Sequence, residues 1–176
     1  MLVLSGPPGA GKTTIASLLA REWEPSVHLR VDTFFRFVER GFVSPWMPES
    51  SAQNRTVMSA VAASAAVYAA GGYRVVVDGV VGPWFLETFL AALGPANVLV
   101  HYAVLRPRLE VTLARAQARP AGELTDQEPV RRLHDEFRDI GPYERHVVDN
   151  SELTPSSTAE LIRRLVDDGG LILTSP

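Results

Sequence analysis

The chain of 176 residues contains no cysteine. That excludes a disulfide framework, a thiolate zinc site and a cysteine nucleophile. Lysine is almost missing too: of 17 basic residues, 16 are arginine and one is Lys12. There is no basic surplus either, because the net charge is −3 and the arginines are scattered along the chain. A long nucleic acid or an anionic membrane surface is therefore a poor partner. No apolar run approaches the roughly 20 residues of a membrane helix. The most apolar stretch, Val57 to Ala70, is broken by Ser59, Ser64 and Tyr68. The four histidines, His28, His101, His134 and His146, lack metal-ligand spacing and read as structural.

What is present fits one soluble globule. Hydrophobic residues at 46% and charged residues at 21% suffice for one core over residues 1–176. The first strand is expected to begin at Met1, leaving no room for a signal peptide, so a cytoplasmic monomer or weak homodimer is expected. Short apolar runs alternate with helical segments. Strands are expected at Leu2 to Ser5, Val27 to Val31, Tyr73 to Val77, Val98 to Leu105 and His146 to Val148. Helices are expected at Thr13 to Trp23, Ser50 to Ala70, Pro83 to Leu93, Arg108 to Ala118, Pro129 to Ile140 and Pro155 to Val166. Ser50 or Ser51 is expected to cap the second helix, and Gly71-Gly72 to end it. This alternation predicts an α/β fold with a mostly parallel sheet and helices on both faces.

One motif carries chemistry. Gly6-Pro7-Pro8-Gly9-Ala10-Gly11-Lys12-Thr13 fits G-x-x-x-x-G-K-[ST], with an apolar strand before it and an amphipathic helix after it. Glycines let the backbone approach a phosphate, successive N–H groups form an anion nest, and the helix start adds positive potential. The lone lysine of the chain stands where a compact ammonium must reach between phosphate oxygens, which the wide fork of arginine does less well. Lys12 is expected on the β- and γ-phosphates of ATP and Thr13 on Mg²⁺. Thr14 is read equally as a first-turn capping residue or an α-phosphate contact.

Phosphoryl transfer needs a carboxylate to receive the acceptor proton. Asp32 and Asp78 follow the second and third apolar runs, where the carboxyl ends of parallel strands place ligands. Either could be only a turn former. Asp32 is the favoured base. Asp78, in Val75-Val76-Val77-Asp78-Gly79, is the candidate to orient substrate or to hold Mg²⁺ through water. Arg115 and Arg119 are four apart on one expected helix, next to a hinge at Pro120-Ala121-Gly122, so a lid over about 119–128 is expected to close on the transferring phosphate. Arg106 and Arg108 read as solvent-facing turn residues. The acceptor side is expected over about 33–55, lined by Phe34, Phe35, Phe37 and Arg55, with Trp84 and Phe85 opposite. The same aromatics could simply cap the core.

On these residues the chain resembles the small-molecule kinases among phosphate-loop proteins. It looks most like chloramphenicol phosphotransferase and the kinase-like AAA-type ATPases near it, and more distantly like gluconate and shikimate kinases. The resemblance rests on Gly6 to Thr13, Val31-Asp32, Val77-Asp78-Gly79, Arg115 and Arg119. It extends to Val148 through Pro155, the region where such kinases hold adenine. It implies a P-loop NTPase fold, a five-stranded parallel sheet of order 2-3-1-4-5, and Asp32 as base. The expected activity is transfer of the γ-phosphate of ATP to a hydroxyl of an antibiotic or metabolite. Two alternatives stay open: a kinase acting on a nucleoside or polynucleotide 5′-hydroxyl, and a protein that binds ATP without catalysis.

Overall fold

In the computed structural model the described residues are 1–94, 98–119 and 124–173. Five strands form one sheet: β1 (Leu2–Ser5), β2 (Ser26–Arg30), β3 (Arg74–Asp78), β4 (His101–Leu105) and β5 (Val147–Val148). Their order is β2-β3-β1-β4-β5, as the resemblance implied, and every named pair is parallel. Parallel strands are covered on both faces, so their sequences are continuously apolar. The side-chain period of two then divides each strand between two cores. Val3, Val75, Val77, Tyr102 and Val104 face the core built with α3 (Ser51–Ala70) and α4 (Pro83–Leu93). Leu2, Leu4, Val76, Ala103 and Leu105 face the one built with α1 (Lys12–Glu22) and α7 (Pro155–Asp167). The remaining helices are α2 (Val31–Arg36), α5 (Leu109–Gln117) and α6 (Gln127–Glu136).

Several expectations need correction. The second strand stops at Arg30, and Val31 and Asp32 belong to the first turn of α2. Val31 and Phe35 are buried four residues apart on one face of that turn, a spacing that a helix and a strand both allow. Val31 is also wedged beside Gly79, where a Cβ would lie 2.5 Å from the Val31 Cβ. Ser50 stands at the N-cap position of α3, as expected, but it makes no side-chain cap bond. The Ser50 hydroxyl donates to the carbonyls of Pro45 and Met47, closing the 3₁₀ turn Pro48–Ser50. A side-chain cap does occur at Thr154, whose hydroxyl accepts from the Ser157 amide at 3.1 Å. Arg106 is no solvent-facing turn residue: it donates to Phe137 O, Arg138 O and both carboxylate oxygens of Glu144, clamping the segment after α6 to the end of β4. The expected hinge at Pro120-Ala121-Gly122 and residue 123 of the expected lid lie outside the described residues. Among the described residues no helix is long and apolar enough to cross a membrane.

Candidate active site

The order β2-β3-β1-β4 places three chain segments side by side at the carboxyl edge of the sheet: the loop after β1, the α2 turn after β2, and Asp78 at the end of β3. The loop is packed to the point where only glycine serves. Gly6 has φ 135° and a Cβ there would stand 2.2 Å from Leu105 O. Gly9 has φ 87° and its Cβ would stand 2.4 Å from Thr112 O. These approaches fix the loop against β4 and α5. Pro7 and Pro8 are buried and carry no N–H, so the anion-binding amides must come from the loop beyond them and from the first turn of α1. In that turn, the N–H groups of Lys12, Thr13 and Thr14 lack intrahelical acceptors by helix geometry, which suits a phosphate.

Lys12 lies under this loop, 9% exposed, donating from Nζ to Gly6 O at 2.8 Å and Pro7 O at 2.9 Å. Burial lowers its pKa from 10.5 to about 8; Asp32 and Asp78 oppose that shift, and Arg119 adds to it. Lys12 thus shares a field with both candidate acids and with Arg119. Thr13 Oγ1 donates to Asp78 Oδ1 at 3.3 Å, which gathers a hydroxyl and a carboxylate as oxygen donors of the kind Mg²⁺ takes. Among the described residues no cluster of three His, Asp or Glu could hold a metal unaided. Asp78 is 3% exposed, and its other oxygen lies 2.5 Å from His28 Nε2. His28, structural by its sequence pattern, therefore holds a site carboxylate. Its signal in the sequence was weak. His28 is the middle residue of Ser26-Val27-His28-Leu29-Arg30, two before the strand end and not the only polar residue in it.

Two clefts meet at Lys12, Thr13 and Arg119, which line both. The first, of about 480 Å³, adds Gly9, Gly11, Thr14, Arg115 and, from the segment after β5, Asn150, Leu153, Pro155 and Thr158. Arg115 donates to Asn150 O at 3.2 Å, and Asn150 Nδ2 donates to Ala10 O at 3.0 Å, so this wall is tied to the loop. Asn150 Oδ1 is buried without a partner, an acceptor open to a ligand's donor. Arg30, at the end of β2, also lines this cleft and was not anticipated. Arg119 lies past the end of α5 rather than on the same helix as Arg115, its amide donating to Ala116 O at 3.2 Å.

The second cleft, of about 770 Å³, holds Asp32 and Asp78 beside Lys12. Of the residues expected on the acceptor side, Phe35, Arg55, Trp84 and Phe85 line it. Phe34 and Phe37 do not: their rings pair at 5.5 Å, Phe34 packs on the core and Phe37 is 67% exposed. The reason is α2, which aims Phe35 and Arg36 into the cleft and turns Phe34 elsewhere, while Phe37 lies past its end. Phe42, Trp46, Met47, Asn54, Met58 and Arg132 complete the wall.

The AAA domain profile matches residues 1–140. The chain belongs to the AAA domain family. No curated protein matches it. Among solved structures it is similar to a sugar kinase from Janibacter sp. HTCC2649, at 21% identity and TM-score 0.69 over 94% of this chain and 93% of that one. It is similar to the tunicamycin resistance protein of Deinococcus radiodurans, at 18% identity and TM-score 0.68 over 98% of each chain. It is also similar to shikimate kinase from Acinetobacter baumannii in complex with shikimate, at 22% identity and TM-score 0.64 over 96% of this chain and 93% of that one. At these identities the likeness establishes the fold, that of the P-loop kinases.

Proposed function

We propose that this protein is an ATP-dependent phosphotransferase acting on a hydroxyl of a small molecule. One observation carries the reading: Lys12, Thr13 and Arg119 stand on the shared edge of two clefts, one lined by loop and arginines, the other by a carboxylate and aromatics. That is the geometry for a triphosphate tail on one side and its acceptor on the other.

The nest and the start of α1 bind the β- and γ-phosphates, with the Lys12 ammonium leaving its two carbonyl partners for phosphate oxygens. Thr13 and Asp78 are the residues that would hold Mg²⁺, with Asp32 able to assist through water; the ion supplies neutralisation of phosphate charge. Asp32 is exposed in the second cleft and accepts the proton as the acceptor O–H bond breaks. The acceptor oxygen bonds to γ-phosphorus, the bond to the β-phosphate oxygen breaks, and ADP leaves with the electron pair. Arg115 and Arg119 offset the charge spread over the equatorial oxygens.

The test is ADP formation from ATP with pooled alcohols, with products read by mass for a phosphate adduct. The wild-type chain is expected to give an adduct. Asp32→Asn is expected to bind ATP normally and to lose about 10²–10⁴-fold in turnover, the usual worth of a positioned base. Unchanged turnover in that variant would move the base role to Asp78. ADP release without any adduct would leave an ATPase or a binding protein.

A further inference from the structure

We propose that the acceptor is an amphipathic alcohol with a flat apolar body, aryl or equivalent, and a hydrogen-bond donor beside it, rather than a polyol, a sugar acid or a cationic aminosugar. This rests on the phosphotransfer reading above and names the substrate class of the same site.

Size comes first: about 770 Å³ is the range of a drug-sized ligand and exceeds what a six-carbon polyol fills. The wall chemistry comes next. Phe35, Phe42, Trp46, Met58, Trp84 and Phe85 face the cleft. A polyol brings about one hydroxyl per carbon, and against these side chains each would shed water without gaining a partner. A flat apolar body gains by the same burial. Phe42, Met47 and Trp84 remain 50%, 44% and 42% exposed, apolar surface at one mouth that such a body would cover.

Of the two deeply buried polar residues on this wall away from the phosphate end, Ser50 at 1% exposed and Asn54 at 5%, the one with an unpartnered side-chain atom is Asn54. Both of its amide hydrogens are engaged: Nδ2 donates to Pro45 O at 2.7 Å and to Ser50 Oγ at 2.8 Å. Those bonds fix the amide plane and leave Oδ1 as an acceptor with no partner. A buried acceptor in that condition selects ligands that bring an N–H or O–H to it. Charge supplies the exclusion. Lys12, Arg36, Arg55, Arg119 and Arg132 line the cleft against Asp32, Asp78 and a Glu136 carboxyl pushed up by burial, so a cationic substituent meets a positive surplus.

Trp46 and Trp84 line the cleft, while the third tryptophan, Trp23, lies beneath Arg74 at 5.4 Å from its ring and outside the cleft wall. Intrinsic fluorescence of the full chain therefore reports occupancy without nucleotide. The probes are N-benzoylethanolamine, 2-phenylethanol, sorbitol, gluconate and kanamycin. N-benzoylethanolamine is expected to quench saturably and to bind about tenfold more tightly than 2-phenylethanol, which lacks the amide donor. The three polar probes are expected to leave the signal unchanged at the same concentrations. Asn54→Leu is expected to abolish the preference between the two aryl probes. Met47→Glu, at an exposed rim position that folding does not need, is expected to weaken both aryl probes about fivefold and carries the test should Asn54→Leu misfold. Failure of both aryl probes to bind, or equal binding by sorbitol, gluconate or kanamycin, overturns the inference. The same samples are then given ATP and Mg²⁺. Aryl binding without a phosphate adduct sinks the phosphotransfer reading and leaves the substrate class standing; an adduct on gluconate or sorbitol does the reverse.

Discussion

Lys12 holds its charge against its surroundings. Burial draws its pKa down from 10.5 to about 8. The folded form therefore binds fewer protons than the unfolded chain between about 8 and 10.5, and in that window stability rises with pH. Below about 8 the ammonium is present and its burial is opposed mainly by Asp32 and Asp78. A triphosphate adds negative charge beside it and raises that pKa again. ATP affinity is accordingly expected to be flat below pH 8 and to fall by up to about tenfold per pH unit above it, measured by titration calorimetry at constant ionic strength. Lys12→Arg should remove this pH dependence and weaken binding throughout, because the planar fork does not fit under the loop. A second residue-scale expectation concerns His28. Its contact at 2.5 Å fixes one oxygen of Asp78 while Thr13 takes the other. His28→Ala should raise the Mg²⁺ concentration needed for half-maximal turnover several-fold with little change in nucleotide affinity without metal, and His28→Asn should recover part of the loss. The phosphate loop was legible because each residue in the motif answers to a local constraint. His28 was not, because its partner is 50 positions away and only the pairing of β2 with β3 brings them together.

At the scale of elements, the strands most easily read are those buried on both faces. β1, β3 and β4 are nearly continuous apolar runs, and sequence and structure agree on them to within a few residues. β5 is two residues long and has almost no pattern of its own. The second crossover was harder. No helix breaker stands between β2 and α2, and the run His28 to Phe35 satisfies a strand period as readily as a helix. Burial of Val31 beneath Gly79 decides it. That choice moves Asp32 from a strand end to a helix start, and it turns Phe35 inward while leaving Phe37 in solvent. The side-chain cap expected at the start of α3 is missing for a related reason: the Ser50 hydroxyl donates to the carbonyls of Pro45 and Met47 and accepts from Asn54 Nδ2 rather than from the amides of α3. A side-chain cap is found instead on α7, where Thr154 precedes Pro155 at the first helical position and its hydroxyl accepts from Ser157 N. Thr154→Ala is expected to lower stability by about 1 kcal/mol, seen as a reduced urea midpoint with an unchanged slope. Because α7 packs on α1, which carries Lys12 and Thr13, a small loss in nucleotide affinity should accompany it.

For the whole molecule, the sheet order has one main consequence. Placing β1 between β3 and β4 puts the loop at the centre of the carboxyl edge, the α2 turn and Asp78 on one side and the Arg115 wall on the other. Neither cleft is complete without Lys12 and Thr13, so nucleotide binding joins parts that the unfolded chain holds far apart. A ligand that binds only the folded form stabilises it by RT ln(1 + [L]/Kd), about 2.7 kcal/mol at a hundred times Kd. For a chain of this size that is a rise of about 5–10 °C in Tm. Differential scanning fluorimetry with ATP and Mg²⁺ should show it, with a smaller rise for AMP, which cannot reach Lys12. Lys12→Ala should keep a cooperative transition, since the same change that removes two hydrogen bonds to Gly6 O and Pro7 O also removes a buried charge. Its Tm should no longer respond to ATP. A full shift in that variant would mean that the triphosphate binds somewhere other than the loop, and with that the assignment of both clefts would fall.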